Sequence, residues 1–232
     1  MRQVEEFSDE RNKGFCVHCG GPYQTDDHMP SRVFLDKPYP DNLSVSPSCS
    51  ACNNYFSSHE EYLACVLECI VCNSTDPHKL ERSKISNRLE RSPKLAAMIG
   101  QIRHIEDGQI LWDVDQERVK IVMVKLARGH ASFELAEPQT GEPDEYFCKP
   151  LCVLTSDELA VFENEPEASY TAWPEVGSRA MSRLLILKDA VYDEGWLLVQ
   201  EGRYRFRALL ENGVTIQIII RDYLACQIVW TD

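Results

Sequence analysis

The chain has 232 residues and a mass of 26.6 kDa, with 44% hydrophobic and 26% charged residues. That is enough for one large or two compact domains and too apolar for wholesale disorder. A net charge of -13 and a pI of about 4.9 argue against a protein devoted wholly to coating nucleic acid. No run of about 18 apolar residues exists to cross a membrane, and the polar start MRQVEEFSDERNKG lacks a secretory h-region, so the expected location is cytoplasmic.

The acid is unevenly spread. Residues 1–104 hold 12 Lys+Arg against 14 Asp+Glu, and residues 105–232 hold 12 against 23. A boundary is therefore expected near residue 105, at the polar stretch His104-Ile105-Glu106-Asp107-Gly108, dividing the chain into domains 1–105 and 106–232. The cysteines are uneven too: of ten, seven lie in the first 72 residues. Without a signal peptide, paired Cys-x-x-Cys spacing reads as metal binding rather than as a disulfide framework.

Residues 15–54 are rich in turn formers, with Gly20-Gly21-Pro22, Pro38, Pro40-Asp41-Asn42 and Pro47. Apolar residues are sparse here, so the segment is expected to need a metal staple. Cys16-Val17-His18-Cys19 and Cys49-Ser50-Ala51-Cys52 supply one. Two such knuckles can set four thiolates around Zn²⁺ at about 2.3 Å each. His18, inside a knuckle, is expected to face solvent. Residues 59–72, HEEYLACVLECIVC, take helical spacing, with Leu63, Val66, Leu67, Ile70 and Val71 as an apolar stripe. Cys65, Cys69 and Cys72 share one side of that helix. Core packing is the expected role, with a second metal site beside His59 as the alternative.

Residues 77–103 predict one or two helices and form the most basic stretch, with Lys79, Arg82, Lys84, Arg88, Arg91, Lys94 and Arg103. Val119, Val122, Leu126 and Phe133 predict a helix over roughly 116–134. Thr155-Ser156-Asp157-Glu158 has the spacing of a capping box. Strands are expected at Trp196–Val199, Tyr204–Leu210, Val214–Arg221 and Leu224–Trp230, turning at Glu201-Gly202 and Asn212-Gly213. The fold class is thus α+β, with an antiparallel meander covered by helices on one face. In Arg203-Tyr204-Arg205-Phe206-Arg207, alternation puts the aromatics on the core side and the arginines on the other, facing nucleic acid, a partner or nearby acids. Trp173-Pro174-Glu175-Val176-Gly177-Ser178-Arg179 is distinctive but suggests no chemistry.

Between and beside the knuckles lie Asp27-His28-Met29-Pro30-Ser31, then Asp41-Asn42-Leu43, then Asn53 directly after Cys52. With these elements in this order, residues 14–60 resemble the four-cysteine form of the HNH endonucleases, the ββα-metal nucleases. The resemblance implies an N-terminal zinc-stapled ββα domain followed by helices. It makes His28 the general base, Asp27 and Asn53 ligands of a catalytic Mg²⁺ or Mn²⁺, and Asn42 the residue that holds the loop aiming His28. Cys16, Cys19, Cys49 and Cys52 would hold structural Zn²⁺. The chemistry is coherent: a phosphodiester is anionic, so hydrolysis needs a locally made nucleophile and a cation at the developing oxyanion. One position departs from the pattern. Where many members carry a further His or Lys, this chain has Ser57, and His59 follows two residues later as a metal ligand, a phosphate contact or a solvated residue.

The expected activity is hydrolysis of double-stranded DNA, with a role in restriction or phage defence by analogy. Arg32, Lys84, Arg88 and Arg91 are the expected nucleic-acid contacts, and the acidic C-terminal half is expected to dock a partner or a second copy. Two rivals stand beside this reading. One is a nuclease subunit active only with a partner such as an ATPase, and the other is a non-catalytic zinc interaction module.

Overall fold

The computed structural model describes residues 13–41, 43–163, 192–193, 196–210 and 212–231. The chain is mixed helix and sheet and gathers into two compact units. One comprises Met1–Asn54 with Met123–Asp232, and the other Tyr55–Val122. The boundary expected near residue 105 falls inside the second unit. Asn42 and the Trp173–Arg179 stretch lie outside the described residues. No described helix is long and apolar enough to cross a membrane.

The first unit begins with a hairpin. Strands β1 (Thr25–Met29) and β2 (Ser44–Ser48) pair antiparallel, with Asp27 opposite Ser46 and His28 opposite Val45. Helix α1 (Ser50–Val71) follows directly. Strand alternation gives β1 two faces. Asp27 and Met29 are buried on one, while Asp26 is exposed and His28 half-buried on the other. The buried face lies against helix α4 (Gln116–His130), whose Gly129 closely approaches Met29 and accepts the Ser46 hydroxyl proton at 3.3 Å through its carbonyl. Val17, Met29, Phe34, Leu35, Leu43 and Val45 are all buried. The segment that looked short of apolar residues therefore acquires a core, with part of its cover coming from a helix distant in sequence.

The rest of this unit is built on a six-stranded antiparallel sheet in the order β5-β10-β9-β8-β7-β6. Its strands are β5 (Glu145–Pro150), β6 (Tyr192–Asp193), β7 (Trp196–Gln200), β8 (Tyr204–Leu210), β9 (Gly213–Ile220) and β10 (Leu224–Thr231). The four expected strands are all present. β5 was not anticipated; it joins the edge through pairs such as Cys148 with Cys226. Gly213 begins β9 at φ 117, where a Cβ would collide with the Trp230 carbonyl.

Both faces of the sheet are covered, not one. On the first, Tyr204 and Phe206 meet His130 at the end of α4: Nε2 of His130 lies 2.8 Å from the Tyr204 hydroxyl, and its ring stacks on Phe206. On the second, helix α5 (Ser156–Glu163) packs Phe162 against Trp196, Ile219 and Ala225. The capping box of α5 is formed reciprocally. The Glu158 amide donates to Thr155 Oγ1 at 3.2 Å and the Thr155 amide to Glu158 Oε2 at 2.9 Å.

In the second unit, the α1 residues Tyr62, Leu63, Cys65, Val66, Leu67 and Cys69 are buried, whereas Val71, expected in the apolar stripe, is exposed. The fully buried Glu68 accepts the Arg82 backbone amide at 2.8 Å. Of the one or two helices expected over 77–103 there are two, α2 (Ser83–Arg91) and α3 (Pro93–Gln101). The polar stretch at the expected boundary is a hairpin. β3 (Arg103–Glu106) and β4 (Gln109–Trp112) turn on Asp107 and Gly108, both at positive φ. Two central residues at positive φ make a type I′ turn, whose twist matches that of the strands, and Asp-Gly suits it.

Candidate metal centre and catalytic site

The two knuckles come together as the spacing requires. The sulfurs of Cys16, Cys19, Cys49 and Cys52 all lie within 4.8 Å of one another. The first knuckle closes through the Gly20 amide on the Cys16 carbonyl at 2.8 Å and the Cys16 amide on the Gly21 carbonyl at 2.7 Å. The second opens α1, where the Cys52 amide points at the Cys49 sulfur at 3.4 Å. A tetrahedron with bonds of about 2.3 Å has edges of about 3.8 Å, and Cys19 and Cys49 stand 3.8 Å apart. Burial raises the Cys16 thiol, but backbone hydrogen bonds at Cys49, His18 and Cys19 outweigh it and bring it down to about 7. The donors thus fit a structural zinc ion. Cys65 and Cys69 are wholly buried and belong to the core, and the four-cysteine group is the one metal-ligating cluster among the described residues.

Asp27 has a close ionic partner that sequence spacing did not suggest. Its Oδ2 lies 2.8 Å from Nζ of Lys125, a fully buried side chain of α4, and 3.4 Å from Nε2 of His18. The same ammonium donates to the Ser31 hydroxyl at 2.7 Å, just beyond the Asp27-His28 pair. His18 is 5% exposed, so it does not face solvent as expected but turns inward to the carboxylate. Burial would raise the Asp27 carboxyl, but His18 and Lys125 overcome it and hold the group below its ordinary range. Burial is also the largest influence on His18 and pushes its pKa down, against the pull of Asp27. Lys125 left one trace in the sequence: a single charge inside the apolar run Val122-Met123-Val124-Lys125-Leu126-Ala127.

His28 lies on the other face of β1. Burial first, then the neighbouring charge of Arg32, lowers its pKa, so the ring is neutral at neutral pH and able to accept a proton. Its Nδ1 is buried without a hydrogen-bond partner among the described residues. Asn53 sits in the first turn of α1, half-buried, its amide nitrogen of the backbone bonded to the Cys49 carbonyl at 3.0 Å. His59 is six residues further along the same unbroken helix. Six residues at about 100° each turn it to a different side from Asn53. It has its own surroundings: Nδ1 accepts from Arg118 Nε at 3.3 Å, and Arg118 also stacks over Tyr62 and reaches the Ser58 carbonyl at 2.9 Å. Burial, then Arg118, lowers the His59 pKa.

The expected nucleic-acid contacts are all exposed. Arg88 forms a two-bond ion pair with Glu61, so its charge is already balanced. Lys84 and Arg91 are exposed on α2, at spacings that share the Arg88 side, and Arg32 is exposed beside the Asp27-His28 strand. The arginines over 203–207 are engaged within the fold instead. Arg203 pairs with Asp36 at 2.6 Å, and Arg205 and Arg207 lie over the Trp196 ring. Gln200 adds a reciprocal pair of bonds to the Asp36 backbone, at 2.8 and 3.0 Å. The C-terminal sheet therefore anchors the loop that leads away from His28.

Comparison with protein-family models, with curated proteins and with solved structures returns no match.

Proposed function

We propose that the chain is an HNH-type endonuclease, hydrolysing phosphodiester bonds in double-stranded DNA with His28 as general base. One observation carries this reading. The Asp27-His28 pair lies on the first strand of a hairpin that runs directly into a helix, with a four-sulfur cluster joining the hairpin's approach to the helix start. Zinc in that cluster would lock the ββα unit so that His28 holds one position. The lowered pKa of His28 keeps it in the proton-accepting form at neutral pH, as activation of water demands. Arg32, Lys84 and Arg91 offer charge for phosphate contact.

A divalent ion would neutralise charge developing on the phosphate. Asp27 and Asn53 offer the oxygen donors that Mg²⁺ or Mn²⁺ prefer, but Asp27 is already balanced by Lys125. The donor chemistry fits such an ion, and the charge fits it only if the ammonium yields. The Asp27–Lys125 pair is also what favours the second reading, a non-catalytic zinc interaction module that binds a partner without cutting. Incubating the purified chain with supercoiled plasmid in Mg²⁺, in Mn²⁺ and in EDTA separates the two. Metal-dependent nicking or linearisation is expected of the nuclease, and intact plasmid under all three conditions of the interaction module.

A further inference from the structure

We propose that Lys125 is the resident cation of the Asp27 site and sets how readily a divalent ion enters it. The inference deepens the nuclease reading, but its geometric basis is independent of whether the chain cuts DNA. Lys125 is brought to Asp27 from 98 positions away in sequence by α4, with its Nζ fully buried. A buried lysine is costly unless paired, and here the ammonium meets both the Asp27 carboxylate at 2.8 Å and the Ser31 hydroxyl at 2.7 Å. Those two acceptors bracket His28 in sequence. The ammonium thus joins the strand before the proposed base to the turn after it.

A divalent ion bound to the same carboxylate would lie about 2.1 Å from oxygen. It would then stand within a few ångströms of a desolvated ammonium, where water screens the repulsion poorly. The whole Lys125 side chain is buried, so the ammonium has no open path into solvent. Divalent binding in the wild-type chain should therefore be weak. A neutral side chain at position 125 would leave Asp27 without its counter-charge and open the carboxylate to a metal.

The test is a titration of Mn²⁺ into the zinc-loaded full chain without DNA, read by loss of the free Mn²⁺ electron paramagnetic resonance signal. Lys125→Met should bind Mn²⁺ at least about tenfold more tightly than wild type, since a desolvated like charge has been removed. The gain should vanish in the double variant Lys125→Met/Asp27→Asn, and Lys125→Arg should resemble wild type. Unchanged or weaker binding in Lys125→Met would overturn the proposal. Lys125→Gln, which keeps a donor for Ser31, serves the same purpose if the methionine variant does not fold. The wild type alone also tests it: a micromolar Mn²⁺ site abolished by Asp27→Asn would show that the ammonium excludes nothing. Plasmid cleavage reports separately on the nuclease reading. A chain that cuts no DNA yet gains a Mn²⁺ site in Lys125→Met would refute that reading and support this one.

Discussion

Asp27 carries two roles that pull its variants in different directions. As an acid it is a candidate metal ligand, and as the partner of Lys125 it neutralises a buried charge. Asp27→Ala would take the carboxylate away from a buried ammonium, and breaking a buried pair from one side costs about 3–5 kcal/mol. Chemical denaturation should show that loss in the folded chain. Lost cleavage in this variant would therefore not by itself identify a metal ligand. His18 adds a pH dependence. Its pKa is lowered on folding, chiefly by burial, so the unfolded chain binds its proton more readily. Its contribution is fully present above the unfolded value of about 6.5 and is lost as pH falls through the folded value. Asp27, also lowered, acts in the same sense at more acidic pH. Denaturation midpoints should fall as pH drops below about 6.5, and His18→Gln should flatten the upper part of that fall. An equal fall in the variant would assign it to other groups.

Elements whose signals are local were legible before the structure was known. Asn212-Gly213 and the period-two alternation placed β8 and β9, and Thr155 and Glu158 placed the start of α5. Thr155→Ala should cost about 1 kcal/mol, seen as a lower melting temperature, and no change would mean that the cap does not limit stability. The Asp107-Gly108 turn is equally local, but the shift in charge along the chain pointed to a domain boundary there instead of a hairpin. What stayed hidden depends on partners distant in the chain. β5 becomes a strand by pairing with β10, and Lys125 looks like an interruption of an apolar run until α4 is laid against β1. The inward turn of His18 was missed for the same reason. Its partners, Asp27 and Lys125, lie on other elements, and position within a knuckle says nothing of them. Of the candidate site, the cysteine cluster was readable from spacing alone, whereas the state of its central carboxylate was not.

At the scale of the whole chain, the first unit combines residues from both ends of the sequence. The hairpin with its cysteines, the end of α4 and the C-terminal sheet meet within it, linked by Lys125 on Asp27, Gly129 on Ser46 and Arg203 on Asp36. The acidic C-terminal half thus has a concrete use as support for the hairpin and its loop. Cys16→Ser should abolish stoichiometric zinc by elemental analysis and lower the melting temperature, because three sulfurs bind the ion less well and its binding energy is part of the folding energy. A variant with full zinc content and unchanged melting would remove the metal from the account. The central claim is that His28 takes the proton from attacking water. It is tested most directly by single-turnover cleavage of a DNA duplex by wild type and His28→Ala, from about pH 5 to about pH 8. The wild-type rate should rise to a plateau, with its midpoint below the ordinary histidine value because the His28 pKa is lowered. The variant should cut about 10²–10⁴-fold more slowly, without that rise, while binding DNA normally in Ca²⁺. A variant that cuts within a few-fold of wild type, or that keeps the same pH profile, would contradict the claim.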